Sequence, residues 1–207
     1  IARAIETAKD FIGKHSALND TDAVSYKLAG GIIGVEAAIN EVVAEKQLQT
    51  LLLALAGVFF FCALEFRSLK AGLILTLPLV LSNFMAFAYM AFFQIGLSIA
   101  TLPVSAAGIG MGVDYGIYLL ARLEEEKRGN PSLSLEQALI QTIQTYGKSI
   151  LYIAGTLVLG LAVWTFSPLK FQAQMGMMLA VILFLNCLGA IFMVPVLTLL
   201  FRPKFLR

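Results

Sequence analysis

Apolar positions along the 207 residues gather into long runs separated by short polar connections, and only the first 46 residues mix the two classes evenly. A helix rises 1.5 Å per residue, so an apolar run of about 20 residues crosses the roughly 30 Å of bilayer hydrocarbon. Runs at 47–66, 71–93, 98–121, 149–165 and 171–201 predict five membrane-spanning helices. The polar leader begins with Ile5, Ala8, Phe11 and Ile12 at helical spacing, turns at Asn19 and Asp20, and alternates as a strand would over 23–28. Gly30 and Gly31 break that strand before a second helical stretch, which runs through Glu36, Glu41 and Glu45 without a stop signal. The pattern therefore predicts an all-α polytopic membrane protein. A five-helix bundle occupies 47–207, and a small α/β extracytoplasmic remnant, the tail of a folded domain, occupies 1–46.

Composition strengthens this picture. Hydrophobic residues make up 59% of the chain and charged residues 14%, with a mean hydropathy of +0.84, whereas soluble domains carry about 45–50% apolar and about 25% charged residues. A water-soluble globule is excluded. A net charge of +2 is too mild for a nucleic-acid-binding surface, and no nucleic-acid partner is expected. Cys62 and Cys187 both lie inside apolar runs, where cysteine acts as a small hydrophobe. The chain opens at Ile1 without the basic-then-apolar pattern of a cleaved signal, and its first 46 residues bury too little to stand alone, so a longer parent protein is expected.

Charge in the short connections sets an expected orientation. Arg67, Lys70, Arg122, Lys127, Arg128, Lys148, Arg202, Lys204 and Arg207 all fall on one side of a five-span layout, and the opposite short loops carry only Lys170. The positive-inside bias then places the C-terminus in the cytoplasm and residues 1–46 outside it. Within the longest basic connection, Ser134 and Gln137 have capping-box spacing. Leu135, Ala138, Leu139, Thr142, Ile143 and Tyr146 form one face, which predicts an amphipathic helix over 134–147 along the inner membrane surface.

One residue changes the functional picture. Asp114 stands inside the third apolar run, in the stretch Gly108-Ile-Gly-Met-Gly-Val-Asp-Tyr-Gly-Ile-Tyr118. An acid at mid-span costs about 2.5–3.5 kcal/mol on insertion scales, faces a bundle interior or wet cavity, and marks an ion or proton pathway. A carboxyl group in apolar surroundings with no cation beside it can load and unload a proton near physiological pH. Tyr115 supplies a hydroxyl next to it, although neighbouring helix residues diverge by about 100° and need a facing helix to converge.

Gly108, Gly112 and Gly116 recur every four residues and predict a close helix-packing face, with Asp114 on a different side. Thr156 and Asn186 are the candidate relay neighbours among the other polar residues in the spans, while Asn83 reads as a packing residue and His15 as a surface one. No cluster has metal-ligand spacing and no nucleophile has a base nearby, so neither a cofactor nor enzymatic chemistry is indicated.

The run Gly110-Met-Gly-Val-Asp114-Tyr115-Gly-Ile-Tyr-Leu-Leu-Ala-Arg122 with Glu124-Glu125 resembles the RND superfamily, in particular its MMPL-like branch of exporters of lipids and hydrophobic molecules. Phe66-Arg-Ser-Leu-Lys70 and Asn186-Cys-Leu-Gly-Ala190 with Pro195 support the likeness, which extends from about residue 32 to the end. The resemblance implies the last part of one half of a transporter whose halves are parallel repeats. Asp114 and Tyr115 would take the place of the family's proton-translocating pair, working with a matching pair in the other half. It further implies a multi-pass protein of a bacterial inner membrane, with protons, membrane lipids, a hydrophobic substrate and the other half as partners, and room for a homo-oligomer. A sterol- or lipid-sensing module and a SecD/SecF-like export motor share the five-span layout and are the alternative readings.

Overall fold

The computed structural model describes residues 7, 10, 11, 32–95 and 102–206. The expected strand at 23–28, the turn before it and His15 lie outside the described residues, among which there is no strand. The helices are α1 (Ile32–Glu65), α2 (Leu69–Phe92), α3 (Leu102–Gly129), α4 (Leu135–Ala162), α5 (Lys170–Leu188) and α6 (Val194–Phe201). A π-helical turn over Gly189–Met193 joins α5 and α6 into one traverse. Five stretches are long and apolar enough to cross a membrane: Lys46–Glu65, Leu69–Phe92, Pro103–Gly129, Leu135–Phe166 and Lys170–Phe201.

Each break in the helices has a local cause. Arg67 takes a left-handed conformation (φ 45°) in the tight reversal between α1 and α2, and Arg202 (φ 38°) ends α6 with its amide on the Thr198 carbonyl. The π turn falls just before Pro195, whose ring nitrogen cannot donate to the preceding turn, so the extra residue per turn absorbs the missing bond.

The fourth traverse corrects the sequence reading. Residues 134–147 do not form a helix separate from the span at 149–165; both belong to α4, unbroken from Leu135 to Ala162. Gly147 is the single weak point between the two stretches, and one interior glycine costs only about 1 kcal/mol. The capping box at its start is formed, with Ser134 Oγ accepting from the Gln137 amide and the Gln137 side chain accepting from the Ser134 amide. At 28 residues, α4 spans about 42 Å, so its first turns extend past the hydrocarbon.

Helix α3 sits at the centre, packed against α1, α2, α4 and α5. Burial of the most apolar window is 56% for α3 and for the α5–α6 traverse, against 17% for α1 and 11% for α4, which makes α1 and α4 the outer members. Ile74, Leu75, Ile109, Leu119, Leu120, Leu123, Ile150 and Leu183 fill the core between them. Around the outside, Leu53, Phe60, Phe61, Phe92, Leu159 and Phe166 stand exposed. An apolar belt of this extent fits lipid rather than water.

Candidate functional site

The glycines of α3 decide which side of the helix faces inward. A Cβ added at Gly112 would overlap the Asn186 amide of α5, and one at Gly108 would lie 2.6 Å from Ile182 Cγ2. At Gly116 the neighbour is Leu75 of α2, 2.8 Å from such a Cβ. The three positions thus make room for the side chains of Ile182 and Asn186 from α5 and Leu75 from α2. Asn186 is 2% exposed, and its Nδ2 donates to the Gly108 carbonyl at 2.8 Å, a hydrogen bond between α5 and α3. At the other end of the α3 packing, buried Gln47 of α1 donates to Ser105 Oγ at 3.0 Å.

With that face fixed, helical geometry sends Asp114 elsewhere. It lies about 160–240° around the helix from the glycine positions, and the structure leaves it exposed on the outer side of α3 together with Gly110 and Ala121. Nothing lies within 4 Å of a Cβ placed at Gly110. Asp114 thus projects from a side of α3 other than the glycine face, away from the interior of these five spans. The Cys62 thiol of α1 is within electrostatic range of Asp114.

Tyr115, one residue on, points inward. It is 3% exposed, lies within electrostatic range of Cys187 and Asp114, and its hydroxyl is buried with no hydrogen-bond partner among the described residues. Asp114 and Tyr115 therefore occupy different sides of one helix, the acid at the outer surface and the phenol in the core. The candidate relay neighbours are placed apart from the carboxylate's face. Thr156 is exposed on α4, and its hydroxyl donates to the Tyr152 and Ile153 carbonyls of its own helix. The Asn186 amide is taken by Gly108, while its Oδ1 is buried without a partner. Asn83 donates to the Leu79 carbonyl of its own helix.

Two turns beyond Asp114 the structure assembles a group that the sequence pattern does not single out. The Arg122 guanidinium lies over the Tyr118 ring at 5.3 Å and over the Tyr146 ring at 5.0 Å, and pairs with Glu125 at 2.5 Å. Tyr118 and Tyr146 meet edge to face at 6.2 Å. The i, i+4 spacing of Tyr118 and Arg122 is a readable signal, but Tyr146 arrives from α4 and only the tertiary fold brings it there. This cluster fastens the end of α3 to α4 below the acid. Among the described residues no group of histidine, cysteine or carboxylate side chains could hold a metal ion.

A five-span helical membrane unit with a single carboxylate inside the apolar run of its central helix is the class that fold and site define. The chain belongs to the MMPL family, whose pattern matches residues 2–204, and through it to the RND superfamily. A Methanocaldococcus jannaschii protein named as a membrane protein is 30% identical over 176 residues, covering 84% of this chain and 42% of the relative. A Streptomyces coelicolor protein, also named as a membrane protein, is 27% identical over 186 residues, covering 86% of this chain and 25% of that relative. The chain thus spans less than half the length of either.

Proposed function

We propose that the chain is part of a proton-motive-force-driven RND/MMPL-type transporter that exports lipids or other hydrophobic molecules, with Asp114 as the proton carrier and Tyr115 as its relay neighbour. It acts as a transporter component and not as an enzyme. The observation that carries the reading is the outward position of Asp114 on the central helix. A carboxylate facing lipid would cost about 2.5–3.5 kcal/mol, and the small residues beside it leave room for another backbone. The second transmembrane half of the same transporter covers this face, and the acid then sits at the seam between halves. Its charge alters how the halves pack: ionised, it demands water or a donor across the seam, and protonated, it tolerates close approach.

One proton crossing 100 mV releases about 2.3 kcal/mol, enough to bias two packings of the seam. Tyr115 couples this to the core, because its unpartnered hydroxyl gives a proton or a relayed water a polar foothold between α3 and α5. In this reading the basic ends of the helices face the cytoplasm of a bacterial cell, the spans cross its inner membrane, and residues 1–46 lie outside. Replacing Asp114 by Asn in the complete protein tests the assignment. The expected outcome is loss of proton-coupled transport in energised vesicles at unchanged membrane abundance. Transport at the wild-type rate would refute the role, and ligand binding indifferent to the proton gradient would favour a lipid-sensing module instead.

A further inference from the structure

At the end of the bundle where α3 stops and α4 starts there is a cavity of about 390 Å³ that the relay does not use. Its volume falls in the range of small-molecule sites, about 300–1,000 Å³. Three separate pieces of chain supply its charged groups: Lys127 from the last turn of α3, Glu136 from the first turn of α4, and Arg202 from the end of α6. Leu133, Leu199 and Leu206 supply apolar wall.

Lys127 is anchored through its ammonium and Arg202 through its backbone. Lys127 Nζ donates to the Leu133 carbonyl at 2.8 Å, which keeps the ammonium at the cavity and leaves two of its protons free. Arg202 has a left-handed backbone and an amide bonded to the Thr198 carbonyl at 3.0 Å, which fixes its backbone at the end of α6 and leaves its side chain exposed at the cavity. The start of α4 beside them adds the partial positive charge of a helix N-terminus. Glu136 opposes this, and two cations against one carboxylate leave a single positive charge.

We propose that this cavity binds the headgroup of a singly charged anionic phospholipid, a phosphodiester such as phosphatidylglycerol. The phosphate would lie between Lys127 and Arg202, and the first acyl carbons would run along Leu133, Leu199 and Leu206. The net charge matches a monoanionic phosphodiester better than a dianionic phosphate, and the apolar wall favours a lipid over a free ion. Basic pockets between membrane helices at the headgroup level recognise anionic lipids in this way. A lipid seated here would join the ends of α3, α4 and α6, and the first two of these carry the acid and its Arg122 fastening. The site stands independently of the transport reading, because occupancy is measurable without turnover.

The test is binding of short-chain phosphatidylglycerol to the complete protein in neutral detergent, followed by native mass spectrometry. Wild type is expected to retain it while short-chain phosphatidylcholine washes off, and millimolar inorganic phosphate is expected not to displace it. The double variant Lys127→Gln with Arg202→Asn should bind at least tenfold more weakly; asparagine is chosen because it accepts the left-handed backbone. Glu136→Gln should bind severalfold more tightly, a gain that misfolding cannot produce. Equal retention of phosphatidylcholine, displacement by inorganic phosphate alone, or unchanged affinity in both variants would overturn the proposal.

Discussion

The side-chain amide of Asn186 donates to the backbone carbonyl of Gly108 at 2.8 Å, across 78 positions of sequence, and lies against Gly112 one turn further on. This contact sets the rotation of α3 about its own axis. Because it turns Gly108 and Gly112 toward α5, it turns Asp114 outward.

Gly112→Ala is expected to destabilise the protein by about 1–3 kcal/mol, since the added methyl overlaps the Asn186 amide in a packed interior. Asn186→Ala in the same background should recover part of that loss. Unfolding of the single and double variants in detergent measures it, and strict additivity would show that the two residues do not share the contact.

Gly110→Leu separates a lipid-facing surface from a covered one. Among the described residues nothing lies within 4 Å of a Cβ at this position, so against lipid the substitution would leave membrane abundance and transport unchanged. If a second bundle packs on this face, abundance or transport of the complete protein falls severalfold. Quantitative membrane immunoblotting with a transport assay decides between the two.

Tyr115→Phe is expected to change stability by less than about 1 kcal/mol, because the hydroxyl it removes is buried without a partner. Proton-coupled transport should nevertheless drop at least tenfold. A variant that unfolds instead would mean that the hydroxyl is a structural group.

Arg122→Lys is expected to lower the unfolding temperature measurably, because a compact ammonium cannot lie flat against both Tyr118 and Tyr146. Glu125→Gln should change stability by no more than about 0.5 kcal/mol, its pair with Arg122 being exposed. Thermal unfolding of the two variants side by side checks the ranking, and a larger loss for Glu125→Gln would contradict it.

The five traverses were legible in the sequence because each needs an uninterrupted apolar run and no other feature of the chain imitates one. The continuity of α4 was not, because the amphipathic face around Thr142 and the apolar run after Ser149 have different patterns, although the junction holds no helix breaker stronger than Gly147. Asp114 was conspicuous as a charge out of place. Which way it faces depends on where Asn186 and Leu75 approach α3, and that is a tertiary fact. The gathering of Lys127, Glu136 and Arg202 around one cavity likewise depends on three helix ends meeting.

The central claim is that the Asp114 carboxyl takes up and releases a proton. Infrared difference spectroscopy of the complete protein across a pH titration addresses it most directly. The account predicts a protonated-carboxyl band that appears and disappears within the working pH range and is missing from Asp114→Asn. A wild-type spectrum in which that carboxyl stays ionised throughout would contradict it.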